Sequence, residues 1–274
     1  MRESFWDFFD SWEEAEKAWD ERAKAAALQS PLDIPTVNPV IPQITADTAR
    51  FLRLKALSWV VRHDRRGVLR RFFLRHPFRC LSQYIQSLLS GTSFVRQGDF
   101  FYYGVKGFSH MQELLKQDDT ILLVGFSYCE KPKECPAVRF SNKCIADEEL
   151  RVCQQCFIGK VRHALPHART IFTIVPTINA IGEEVVQAIT ANPNKKLLFL
   201  IASCEMALTM FGDLGVMSGI KGIGVKLGGR ICNTMHAFSL SEQGVKPGVT
   251  WLSEPTQRKV LDLLRFWRDT LRLF

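Results

Sequence analysis

The sequence predicts an α/β fold: a parallel sheet with covering helices, preceded by a helical N-terminal region. Two observations carry this. From about residue 109 short apolar β runs alternate with helical stretches, the pattern of a parallel sheet with helices laid across it. Before that point, residues 1–28 and 48–90 space their apolar side chains at helical intervals. The 274 residues suffice for one large domain or two modest ones. With 46% hydrophobic and 23% charged residues, the chain is neither disordered, fibrous nor a small disulfide-stapled scaffold.

Taken in order, residues 1–28 read as an amphipathic helix in which Phe5, Phe8, Phe9, Trp12 and Trp19 recur among acids. Residues 28–45, with Pro31, Pro35, Pro39 and Pro42, read as an extended linker, because proline fixes φ and removes donors. Residues 48–90 are helical and basic, interrupted near Gly67 and Pro77. Phe72, Phe73, Phe78, Leu81, Tyr84, Ile85 and Leu88 line their apolar faces, which are expected to pack on a core rather than lie in a membrane interface.

The first 110 residues thus form the helical region, residues 111–252 a cysteine-rich α/β domain, and residues 253–274 a C-terminal amphipathic helix. Within the α/β part, helices are predicted at 109–117, 157–165, 178–190 and 205–211, and strands at 120–126, 168–175, 197–203 and 220–227. The last helix follows Pro255 and places Val260, Leu263, Leu264, Trp267 and Leu271 on one face.

The longest apolar stretches, such as 121–126 and 197–202, are six residues. A spanning helix needs about 20, so no transmembrane segment is expected. The N-terminus is acidic and aromatic where a secretory signal would be basic and then apolar. The expected location is the cytoplasm, with a peripheral position on the inner face of a membrane as a variant.

The net charge of +8 is uneven. Residues 50–79 hold ten Lys or Arg against one acid, Asp64, whereas the first 24 residues hold eight acids and four bases. One reading is attraction of residues 50–79 to an anionic membrane surface or acidic partner. The other, given equal weight, is that the two segments neutralise each other. Nucleic acid is disfavoured, since no reader motif accompanies the basic residues.

Eight cysteines in a chain without export signals point to metal or redox chemistry rather than disulfides. Cys80 stands alone in a helix and reads as an inert core residue. Cys129, Cys204 and Cys232 each follow a predicted strand, and in open α/β sheets ligand sites form outside the strands' carboxyl ends. Three thiolates leave an iron–sulfur cluster one iron open to substrate, or a zinc ion one position open to water.

Cys153 and Cys156 have the CxxC spacing that grips one metal. Cys135 and Cys144 can complete a four-thiolate set suited to zinc or to an iron–sulfur cluster. No histidine stands at finger spacing, although His163 and His167 lie close by.

These same residues resemble the DUF116 family. The resemblance runs from VGFSYC (124–129) through CPA (135–137), CQQCFIG (153–159) and SCE (203–205) to GIKGIGVKLGGRICNT (219–234), about residues 120–240. It implies an iron–sulfur protein with seven family cysteines and no established activity. Cys129, Cys135, Cys153, Cys156, Cys204 and Cys232 match in order. Cys144 departs: the family places a cysteine just before the CxxC pair, where this chain has residues 148–152. Either Cys144 reaches the same place from a longer loop, or the metal site differs.

The glycines at 219, 222, 224, 228 and 229 form neither a Walker A motif nor a dinucleotide fingerprint. They are expected to permit close backbone approach and the turn that presents Cys232. Glu205, Asn233, Thr234 and His236 flank the strand-end thiols and are the candidate catalytic groups, with helix capping as the competing role.

The expected function is therefore a cytosolic metal–thiolate protein. It would bind an iron–sulfur cluster at the sheet's carboxyl rim, with redox or Lewis-acid action on a small-molecule substrate. The alternative is a non-enzymatic, zinc-stabilised module whose basic helices bind a membrane surface, protein or nucleic acid.

Overall fold

A computed structural model describes residues 4–33, 44, 46–89, 93–246 and 248–272. The chain opens with a 3-10 turn, Phe5–Phe8, and then α1 (Trp12–Gln29), which begins where the Ser11 hydroxyl accepts from the Glu14 N–H. Helices α2 (Ala46–His63), α3 (Val68–Arg75) and α4 (Pro77–Leu89) follow, broken at the expected Gly67 and Pro77. Gly67 adopts φ +65°, a left-handed conformation that suits glycine. Most of the predicted proline linker, including Pro35, Pro39 and Pro42, lies outside the described residues.

Next come β1 (Val95–Gln97), β2 (Phe100–Tyr103), α5 (Phe108–Leu115), β3 (Thr120–Ser127), α6 (Arg151–Gln155) and α7 (Phe157–Ala164). The rest of the domain runs β4 (Thr170–Val175), α8 (Ile178–Ala191), β5 (Lys196–Ser203), α9 (Glu205–Ser218) and β6 (Lys221–Lys226). The chain ends with β7 (Gly228–Gly229), α10 (Met235–Ser241), β8 (Thr250–Trp251) and α11 (Glu254–Arg272).

Six strands form one sheet in the order β1-β2-β6-β5-β3-β4. The four from β3 to β6 are parallel, while β1 and β2 add an antiparallel edge. The fold is thus α/β, as predicted. The edge hairpin was not: it falls in the stretch expected to be helical. Its signal was present in the aromatic run Phe100–Tyr103 after a turn at Gly98, where φ is +60°.

Each strand's side chains alternate between two cores. On β3, Leu122, Val124 and Phe126 face one core with α1, α5, α7 and α11. Ile121 and Leu123 face the other with α3, α4, α8 and α9. Helix α9 is twice the predicted length, because it continues through Gly212, where a Cβ would meet the Ser93 hydroxyl at 2.4 Å. The close approach that excludes a side chain there is what retains a glycine inside the helix.

Of the two readings of the charge asymmetry, mutual neutralisation of the two segments is not what the described ion pairs show. The N-terminal acids pair with Lys160 and the last helix: Lys160 lies 2.9 Å from Glu16 and 2.7 Å from Asp20, Arg265 lies 2.5 Å from Glu13, and Arg268 bonds Asp7. Among the described residues no such pair reaches residues 50–79. Phe5, Trp6, Trp12 and Trp19 are buried between these pairs, so the first helix is part of the main core.

The apolar faces of α3 and α4 also differ from expectation. Leu69, Phe72 and Cys80 are buried, with Phe73 and Tyr84 packed against them, but Phe78, Leu81 and Ile85 are exposed. Helix α4 turns its Cys80, Tyr84 and Ser87 side toward α9, which leaves the 78/81/85 side outward. The side chain of Leu88 lies outside the described residues. Among the described residues no helix is long and apolar enough to cross a membrane.

Candidate metal–thiolate site

The strand order fixes where a site can form. From β3 the chain crosses to β4 on one side, then returns to β5 on the other side of β3, and continues outward to β6. The carboxyl ends of β3 and β5 are therefore a topological switch point, where the crossovers diverge to opposite faces and leave a crevice. Cys129 lies in the 3-10 turn Tyr128–Glu130 directly after β3, and Cys204 is the N-cap residue of α9 directly after β5.

Cys232 arrives from the segment between β7 and α10. The glycines before it mark tight contacts: a Cβ at Gly222 would meet the Phe199 carbonyl at 2.1 Å, and Gly229 sits at φ +82° against Trp251.

These three thiols are buried and electrostatically close. Burial, then the charges of Cys232 and Cys129, push Cys204 up to about 12. Burial also raises Cys129, while Lys246 and the hydroxyls of Ser127 and Ser241 pull it down. The Lys246 ammonium donates to the Cys232 sulfur at 3.2 Å and the Ser241 hydroxyl lies 3.8 Å from the Cys129 sulfur. One lysine thus serves all three thiols.

The second set comes from a single loop. Cys135, Cys144, Cys153 and Cys156 line one cavity of about 20 Å³. Cys144 therefore does reach the CxxC pair from the longer loop. Burial and then Cys153 push Cys144 up to about 11, and burial raises Cys153 and Cys156 as well. Cys156 is the N-cap of α7, and the N–H groups of Gly159 and Ile158 oppose its rise. Gly159 is required there, since a Cβ would meet the Cys153 carbonyl at 2.3 Å.

Three residues that sequence reasoning passed over stand beside the sets. Lys131 is buried, and its ammonium donates to the Val138 carbonyl (2.5 Å), the Ser141 hydroxyl (2.9 Å) and the Lys143 carbonyl (3.0 Å). Burial lowers its pKa, and Cys135, Cys144 and Cys156 pull it back up.

Arg139 donates to the carbonyls of Cys129 (3.0 Å), Lys131 (3.1 Å), Lys246 (2.6 Å) and Gly248 (2.6 Å), clamping one cysteine loop to the segment that carries Lys246. Glu130, between Cys129 and Lys131, is buried with no hydrogen-bond partner among the described residues on either carboxyl oxygen. Burial pushes it up to about 8. None of these polar residues carries a spacing signal.

The candidate catalytic residues are scattered. Glu205 is buried at the first turn of α9, 2.6 Å from Arg96, with its second oxygen unpartnered among the described residues. The Thr234 hydroxyl caps α10 by accepting from the Ala237 N–H at 3.2 Å. Asn233 and His236 are exposed. His163 is occupied on both ring nitrogens: Nδ1 accepts from the Phe5 N–H at 3.3 Å, and Nε2 donates to the Ala146 carbonyl at 2.6 Å. Cys80, as expected, is an isolated core residue.

A larger cavity of about 750 Å³ opens beyond the end of β4, lined by Trp59, Thr177, Asn179 and Glu242 among others. Both Glu242 oxygens accept from the Ile178 N–H at 3.1–3.2 Å, and burial, opposed by that bond, pushes the carboxyl up to about 7.

Among the described residues no group of three or more His, Cys, Asp or Glu side chains stands in an arrangement that holds a metal ion. On donor chemistry the two sets fit a thiophilic metal. All eight cysteines are free, seven of them lie in the two sets, and the orphaned Glu130 carboxyl stands next to Cys129 in the chain. No protein-family model, curated protein or solved structure matches the chain.

Proposed function

We propose that this is a metal–thiolate protein with two centres: an iron–sulfur cluster held by Cys129, Cys204 and Cys232, and a structural site held by Cys135, Cys144, Cys153 and Cys156. A divergent relationship to the DUF116 family and a cytoplasmic setting, where thiols stay reduced, belong to the same proposal. One observation carries it. Three cysteines far apart in sequence stand at the switch point of the parallel sheet, close enough that Cys232 raises the pKa of Cys129 and of Cys204 and that all three share Lys246.

A cluster held by these three thiolates would, when bound, supply an open iron able to act as a Lewis acid on a small oxygenated substrate. The chain's own groups do the rest. Lys246 offsets thiolate charge. Ser127 and Ser241 orient Cys129 and favour its ionised form. The cavity beyond β4 is the proposed substrate entrance. Glu242, next to the Ser241 that touches Cys129, holds a proton near neutral pH and is the proposed acid.

The zinc-stabilised, non-enzymatic reading is favoured by one feature, the cavity of about 20 Å³ at the four-thiol set, which leaves little room for a further ligand.

Anaerobic purification with iron, zinc and acid-labile sulfide analysis separates the two readings. The cluster reading expects iron and sulfide in near-equal amounts, lost in Cys204→Ser. A colourless protein holding only zinc, with metal content unchanged in Cys204→Ser, would leave the zinc-stabilised module.

A further inference from the structure

Helices α3 and α4 present a surface that nothing in the described fold covers. Between residues 65 and 98 the chain has seven arginines and no acid. Leu74 is 78% exposed, Phe78 87%, Leu81 57%, Ile85 46% and Leu89 84%. Positions 78, 81, 85 and 89 recur at helical spacing on one side of α4, opposite the Cys80, Tyr84 and Ser87 side that packs on α9. Leu74 continues the row from the end of α3.

The flanking charge is of one sign. Arg65, Arg71 and Arg75 are exposed, and no ion pair among the described residues engages them. Of the acids nearby, Asp64 is taken by Arg70 at 3.6 Å and Glu183 by Arg66 at 3.5 Å, while Glu184 lines the cavity beyond β4 with Arg65 and Arg66.

We infer that α3 and α4 dock on the surface of an anionic lipid bilayer, with the row from Leu74 to Leu89 entering the interface and the arginines contacting lipid phosphates. An amphipathic helix with Phe and Leu on one side and arginines beside it lies in the plane of such an interface, held by apolar burial and attraction to anionic headgroups. A second copy of this chain would bring arginines against arginines. Nucleic acid would leave the aliphatic side chains in water. The inference rests on this surface alone and stands apart from the thiol reading. It also moves the contact from the predicted stretch, residues 50–79, toward residues 65–89.

Flotation of the full-length protein with phosphatidylcholine vesicles, with and without phosphatidylglycerol, tests it. Uptake is expected on the mixed vesicles at about 0.1 M salt, none on pure phosphatidylcholine, and a more than tenfold loss at high salt. Arg71→Glu/Arg75→Glu is expected to weaken uptake by at least about fivefold per arginine. Phe78→Ser/Leu81→Ser/Ile85→Ser is expected to weaken it about tenfold or more while moving the unfolding midpoint little, because Phe78 is almost wholly exposed and Leu81 and Ile85 are exposed over about half their surface.

Absence of uptake on anionic vesicles at low salt would overturn the proposal. So would undiminished uptake of the triple serine variant. Retention only on an acidic polypeptide resin would point instead to an acidic protein partner.

Discussion

The three-thiol and four-thiol sets use the same residue type in opposite ways. Cys135, Cys144, Cys153 and Cys156 come from one loop, tied by Lys131 and by the tight turn into α7. Cys129 and Cys204 come from two crossovers and Cys232 from the segment between β7 and α10, and the first two meet because β3 and β5 are neighbours in the sheet. Their local supports are few: two serine hydroxyls, one lysine and the packing of Cys204 and Cys232 against α2 and Phe238. The four-thiol loop has little apolar core of its own and is held by the bonds of Lys131 and Arg139, so on the proposed reading its order would depend also on what its sulfurs grip. The three-thiol set is ordered by the sheet whether or not anything is bound.

The largest expected effect breaks that comparison most directly. Cys153→Ser/Cys156→Ser is expected to empty the loop centre and expose residues 131–156 to protease, because structural metal binding is itself folding free energy. Cys204→Ser is expected to remove labile sulfide while leaving the protease pattern intact. Metal analysis and limited proteolysis of the two variants side by side check this. Equal protease sensitivity in both would erase the distinction between a loop ordered by metal and a rim ordered by the sheet.

Gly159→Ala sharpens the same point without touching a sulfur. The added methyl would meet the Cys153 carbonyl at 2.3 Å, and backbone cannot yield as a side-chain tip can. A loss on the order of 3 kcal/mol is expected in thermal or denaturant unfolding. On the proposed reading, the loss should be accompanied by release of metal from the loop and by unchanged labile sulfide.

How much of this was legible follows from the same contrast. The CxxC pair announces itself by spacing, and the strands from β3 to β6 by their apolar runs, since both are local patterns. That Cys129 and Cys204 are neighbours needs the strand order, which depends on which face each crossover helix covers. Lys131, Arg139 and Lys246 were illegible because a cation turned into the fold reads in sequence like any surface lysine or arginine. What marks them is the set of carbonyls, hydroxyls and sulfurs that the fold turns toward them. The outward side of α4 was misassigned for a related reason. Helical periodicity shows that a stripe exists, and only the neighbouring helix decides which side is covered.

Acid and alkali are expected to loosen opposite sides of the molecule. Burial raises Glu242 from 4.5 to about 7, so its stabilising neutral form is fully present below about pH 4.5 and is lost as pH rises through 7. The loss is about 2 kcal/mol after allowing for partial exposure, and Glu242→Gln should flatten it. Burial lowers His163 below 6.5, so the neutral ring that joins Phe5 to Ala146 is retained above that value and lost as pH falls beneath it. Hydrogen exchange of the metal-free protein should show residues 176–180 opening at high pH and residues 144–148 at low pH. Opening of both segments at the same extreme would contradict the assignment.

The smallest effects separate the two lysines. Lys131→Met strips three acceptors of their donor but also removes a buried charge, and these contributions oppose each other. A net loss of about 1 kcal/mol is expected, confined to the loop. Lys246→Met should change stability less, since its partner is a single thiol that remains hydrogen-bonded to nothing stronger than the Ala237 carbonyl at 3.6 Å. Its effect should fall on ionisation instead. Lys246 lowers the pKa of both Cys129 and Cys204, so its removal should slow alkylation of the metal-free three-thiol set at mildly alkaline pH and leave Cys144 and Cys153 unchanged. Alkylation followed by peptide mass spectrometry reads each cysteine separately. Slowing across all seven would mean that the two sets form a single electrostatic unit.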